Sequence, residues 1–163
     1  MWRIVSIAGC TALCAGCVAP RPTNAYLRLY DEANRDERHG RHTEAAAMYG
    51  KAARESTWTR THNQAVYREA RELEVSGDRE GALRLYLEIA ESDPDGEMAS
   101  RCLYYAGRMA WEDGDLETAL SRLRRVIEEY HHKGLAPQAV RRAVQWSTER
   151  HGSDKAIEFL REM

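Results

Sequence analysis

Four glycines stand at an almost constant interval along the chain. They are Gly40, Gly77, Gly114 and Gly152, separated by 37, 37 and 38 residues. Around the second and third the sequence nearly repeats itself: "GDREGAL" (77–83) and "GDLETAL" (114–120) agree at five of seven positions. A fixed period between roughly 20 and 50 residues is the mark of stacked supersecondary units. Such a unit cannot bury its apolar face alone, so the period dictates an extended array in which each unit covers its neighbour.

Other residue types keep the same interval. Five places after the first three glycines come Ala45, Ala82 and Ala119; seven places before them come Ala33, Ala70 and Gly107. Nine places after them come Tyr49, Tyr86 and Leu123. Apolar residues inside "ALRLYLEIA" recur with helical spacing, and no stretch alternates Val, Ile or Thr as a strand would. Gly77 is placed to end one helix and Asp78 to cap the next, and Asp115 and Ser153 repeat the cap after their glycines. Asp93–Pro94 and Pro137 are placed at helix starts, where proline is tolerated. These signals predict eight helices, at about 25–38, 43–55, 60–76, 79–91, 95–113, 116–130, 136–150 and 153–162, in an all-α fold.

The pattern resembles the tetratricopeptide repeat, a helix–turn–helix unit usually of about 34 residues. The resemblance covers residues 26–163 and implies an α-solenoid of about four such units. It departs from the family in its longer period and in having the terminal proline, Pro94, in the second unit alone. In the fourth unit Ala156 follows Gly152 by four places rather than five, which leaves that unit's register open.

In such arrays the first helix of each unit lines the concave face. The resemblance therefore implies a partner-binding set of Tyr30, Asn34, Tyr67, Arg71, Glu74, Tyr104, Arg108 and Trp111, with Glu37, Arg38, Val75 and Glu112 further along the same face. Tyr and Arg are the residue types that most often dominate interface energies. The alternative for the tyrosines is a supporting role between helices.

The first residues carry a separate message. "MWRIVSIAGCTALCAGC" has a single charge, Arg3, then an uncharged run to Pro20. That run is shorter than the about 20 apolar residues a membrane span needs, and it has the layout of a secretory signal. "CAGC", ending at Cys17, resembles a bacterial lipobox, with Cys14 where Leu is usual; "IAGC", ending at Cys10, is the competing site, and an ordinary cleaved signal is the third possibility. Taken at Cys17, the resemblance divides the chain into a signal at 1–16, a lipidated Cys17 with a short tether to residue 25, and a repeat domain at 26–163. Val18, rather than Asp, follows the cysteine. In lipoproteins of this type that implies the outer membrane, on its periplasmic face, with the acyl chains as anchor.

Composition narrows the function. Three of four cysteines lie in the leader, so the remainder keeps Cys102 as a lone thiol and depends on packing rather than a disulfide. Lys and Arg number 24 against 26 Asp and Glu, which gives no general attraction for a phosphate backbone; nucleic acid is not expected as a partner. The six histidines show no zinc spacing. His131 and His132 are adjacent and point apart, and His39 and His42 flank a turn with no thiol nearby. No nucleophile elbow, phosphate loop or dinucleotide fingerprint is present, and no carboxylate pair stands out as acid and base, so neither catalysis nor a cofactor is expected.

Together these features predict a membrane-anchored scaffold of the bacterial cell envelope, one that captures a protein or peptide partner on its concave face. The alternatives are a soluble periplasmic accessory without an anchor and a module that self-oligomerises through its last unit.

Overall fold

A computed structural model describes residues 21–132 and 134–161. Residues 1–20, with Cys10, Cys14 and Cys17 and the expected signal and lipidation site, lie outside the described residues. The described chain is built of α1 (Asn24–Arg38), α2 (His42–Glu55), α3 (Thr59–Ser76), α4 (Arg79–Ser92), α5 (Ala99–Glu112), α6 (Leu116–Glu129), α7 (Ala136–His151) and α8 (Ser153–Arg161). Each helix packs on the one before and the one after, which makes the fold an all-α solenoid of four helix–turn–helix units. None of the described helices is long and apolar enough to cross a membrane.

The turns explain the glycines. Gly40, Gly77, Gly114 and Gly152 all have positive φ, a conformation costly for a side chain bearing Cβ. In the first three turns the following amide reaches back five residues: Arg41 to Asp36, Asp78 to Leu73 and Asp115 to Ala110, at 2.8–2.9 Å. This closes the preceding helix in the Schellman manner. Asp78 then caps α4 by accepting from the Gly81 amide at 2.9 Å, and Asp115 caps α6 by accepting from Thr118 at 3.0 Å.

The small residues explain the pairing. Ala33, Ala70 and Gly107 face Ala45, Ala82 and Ala119 within each unit, and all six are buried. A Cβ placed on Gly107 would stand 3.3 Å from the Ala119 carbonyl oxygen, so backbone approaches backbone where the side chain is absent. Tyr49, Tyr86 and Leu123, four residues further along the second helices, are sealed completely.

The fourth unit's register is settled by its alanine. Ala156 is buried and lies 37 residues after Ala119, so the alanine period is unbroken; the discrepancy belongs to the glycine. Helix α7 runs to His151, directly before Gly152, and α8 starts one residue after that glycine instead of two. Gly152 makes that shorter turn with ψ 173, whereas Gly77 has ψ −4. Ser153 is consequently the first residue of α8 rather than its cap, and the Ala156 amide points at the Gly152 carbonyl, at 3.4 Å.

The start of α5 also differs from expectation. Residues 93–98 form an irregular link, and the helix begins at Ala99 instead of 95. Polar contacts, rather than helical hydrogen bonds, hold this link. Asp93 accepts from the Asn63 carboxamide at 2.7 Å and from the Gly96 amide at 2.9 Å, and the Tyr130 hydroxyl donates to the Pro94 carbonyl at 2.5 Å. Pro137 does lie in the first turn of its helix. At the other end Thr23 caps α1 by accepting from the Tyr26 amide, and it donates to the Glu55 carbonyl, tying the first helix to the end of the second.

Candidate functional site

The first helices of the units, α1, α3, α5 and α7, form a row joined by side chains. The Gln64 carboxamide reaches the Tyr30 hydroxyl, Arg68 pairs with Glu37 at 3.2 Å, Arg108 pairs with Glu74, and Trp111 stacks on Trp146 at 5.3 Å. Every residue of the expected binding set lies on this row, but the structure sorts them into separate groups.

Glu74 is the hub of the central group. Its carboxylate accepts from Arg71 at 3.0 Å, from the Tyr86 hydroxyl at 3.0 Å and from Arg108. Both guanidiniums also lie over the Tyr105 ring, at 4.5 and 5.1 Å, where the electron-rich face attracts cations. Tyr105 stacks in turn on Tyr86 at 5.8 Å and touches Tyr67 and Tyr104. The Glu74 side chain is 10% exposed and those of Arg71 and Arg108 30% and 32%, so the anion is shielded beneath its two cations. Arg108 also lies within 3.7 Å of Glu112.

The first unit has a version of the same arrangement. The Tyr49 hydroxyl donates toward Glu37 at 2.6 Å and Asn34 at 2.7 Å, one repeat before the Tyr86–Glu74 bond. Burial and the adjoining carboxylate push the Tyr49 phenol well above its ordinary range; for Tyr86 the same two causes act with the same result. Tyr67 is pushed up to about 12 by burial, with Tyr105 adding to it. These phenols therefore remain neutral donors. In the third unit the pair becomes Trp111 and Leu123, and an indole stack replaces the hydrogen bond.

The expected ladder of Tyr30, Tyr67 and Tyr104 is thus divided. Tyr30 belongs to a cluster with Tyr26 and Tyr49, while Tyr67 and Tyr104 join Tyr86 and Tyr105. All three rungs are half-buried, so each supports its neighbours with one side and meets solvent with the other.

Beside the central cluster the surface is hollowed. A recess of about 530 Å³ is lined by Tyr67, Ser100, Arg101, Tyr104, Tyr105 and Gln138, among others. It shares Glu97 and Arg101 with a recess of about 660 Å³ that extends to Trp58, Arg60 and Gln64. On the other side it shares Tyr104 and Gln138 with one of about 250 Å³ reaching Arg141, Arg142 and Gln145. The three adjoin one another across α3, α5 and α7 and are together called the trough.

A scan against protein-family models and a search of the curated proteins return no match to this chain.

Several trough residues escaped the sequence reading. The tyrosine row continues at the same interval into Arg141, and Gln64, Arg101 and Gln138 form a second row of period 37. The open register of the fourth unit hid Gln138 and Arg141, whereas Gln64 and Arg101 stand in units whose register the glycines already fix. Tyr105 and Trp146 have no like residue one period away, so repetition gives no hint of either. The histidines stand apart: His42 meets Glu72 at 2.7 Å, His39 turns back on its own helix, and His131 and His132 lie beyond the end of α6. Among the described residues no group of three or more His, Cys, Asp or Glu is placed to hold a metal. Cys102 is fully buried, and burial raises its thiol to about 12, which leaves little nucleophilic thiolate.

Proposed function

We propose that this protein is a tetratricopeptide-like scaffold of the bacterial cell envelope, held at the outer membrane through an acylated Cys17, and that its trough receives a segment of a partner protein. The trough itself is the observation that carries this proposal. Its three adjoining recesses extend over three units and are lined in part by half-exposed tyrosines on a braced helical row. Tyrosine suits such a surface, because its ring contributes contact area at little entropic cost and its hydroxyl stays in reach of polar groups. The anchor would keep the trough near the membrane, where envelope partners are assembled.

The test is the paired substitution Tyr67→Ala and Tyr104→Ala. The double variant is expected to lose the partners that the parent recovers from crosslinked envelopes, while helical circular dichroism persists. Undiminished recovery would reduce both tyrosines to packing residues. Mass spectrometry of the mature N-terminus separates the anchored protein, with acyl chains on Cys17, from a soluble periplasmic accessory.

Self-association is the second reading, favoured by the end of the array. Ile157 and Leu160 on α8 are 46% and 43% exposed, and no further described helix covers them. Light scattering that shows a monomer at all concentrations excludes it.

A further inference from the structure

The trough carries a charge pattern that specifies its occupant, and we infer that this is an acidic segment of another polypeptide, gripped by Arg101, Arg141 and Arg142. This deepens the scaffold proposal and rests on it. The whole chain is slightly acidic, with a net charge of −2. The trough is not. Its lining includes two carboxylates, and each is already engaged: Glu97 with Arg60 at 2.8 Å and Asp93 with the Asn63 carboxamide at 2.7 Å.

The three arginines differ from those of the central cluster. Arg71 and Arg108 are neutralised by Glu74, whereas Arg101, Arg141 and Arg142 have no carboxylate within ion-pair distance among the described residues. All three are exposed and line the recesses. Arg142 donates to the Gln145 carboxamide oxygen at 3.0 Å, a neutral partner, so none of the three guanidiniums is neutralised and each can still meet a carboxylate, an anion that Arg serves better than Lys. Between the arginines the floor presents Tyr67, Tyr104 and Gln138. A carboxamide both donates and accepts, as an extended peptide backbone requires of its neighbour, and the tyrosine rings offer a seat for an apolar or aromatic side chain. A polypeptide satisfies the whole lining. A bare polyanion would leave the rings and the carboxamide unused.

The full-length protein can be titrated, by fluorescence anisotropy, against three labelled peptides of equal length, each containing one tyrosine. One is rich in Asp and Glu, one in Lys, and one in Ser and Gly. A single-stranded oligothymidylate serves as the fourth probe. The acidic peptide is expected to bind at least about tenfold more tightly than the other three probes, and to weaken as salt rises, because exposed charges are screened. The triple variant R101E/R141E/R142E is expected to lose about tenfold in affinity for the acidic peptide and to gain the Lys-rich one. Its circular dichroism should match the parent, since the three side chains are solvent-exposed.

Equal binding of acidic and basic peptides, tighter binding of the oligonucleotide, or indifference to the triple reversal would each overturn the inference. If partner capture from envelopes fails in the Tyr67→Ala/Tyr104→Ala protein but survives the charge reversal, the trough stands as the binding surface and the acidic class falls. If capture survives both variants, the scaffold proposal falls with it.

Discussion

Glu74 holds together what its surroundings would otherwise drive apart. Two guanidiniums converge on one aromatic ring, and the shared carboxylate beneath them cancels their repulsion while taking the Tyr86 proton donor as well. Replacing it by alanine removes an acceptor used three times and leaves two half-buried cations facing each other. Glu74→Ala is expected to cost about 1–3 kcal/mol, the usual penalty for orphaning partly buried donors, discounted because both arginines reach solvent. Urea denaturation measures it. The arginines of the trough face no such constraint, so Arg141→Ala should leave the same transition within about 0.5 kcal/mol. The contrast separates cations that brace the fold from those free to meet a partner.

At the scale of the element, each turn combines a left-handed glycine with, in two cases, an aspartate cap. At Gly77 the helix α3 stops because φ of +97 suits glycine, and open space surrounds the site where a Cβ would project. A Gly77→Ala substitution therefore measures conformational strain without any clash, about 1–2 kcal/mol. The neighbouring Asp78→Ala removes the acceptor of the Gly81 amide and should cost about 1 kcal/mol. Both values come from the denaturation midpoint at constant slope. The first turn has no side-chain cap of this kind: Arg41 stands in the capping position of α2, and instead of holding an amide it forms an ion pair with Asp36.

Across the array, stability is distributed as in any stack: interior units are covered on both sides, and no described helix covers the outer side of the fourth. Leu123 and Leu160 make the difference visible, since they occupy the same position of consecutive units, 37 residues apart. Leu123 is wholly buried, and Leu160 is 43% exposed. Truncating Leu123 to alanine is expected to cost about 2–5 kcal/mol, the range for core leucines, while Leu160→Ala should cost less than about 1 kcal/mol. Equal effects on thermal unfolding would mean that another surface covers the end of the array.

The architecture was legible in the sequence because it depends on local and periodic causes. A glycine that must adopt positive φ, an aspartate that caps the next helix, and alanines that let two helices touch all act within one unit and recur in the next. Repetition therefore shows them without any knowledge of the fold. The trough depended on the tertiary structure, because neighbouring units contribute to it unequally. Tyr105 has Arg68 one period before it and Arg142 one period after, so only the packing of α3 against α5 shows that two guanidiniums flank its ring. The same packing decided that Glu74 is consumed within the protein and that Arg101 is not. Sequence spacing places a side chain on a face of its helix; which charge it meets there is fixed by the helix that packs across from it.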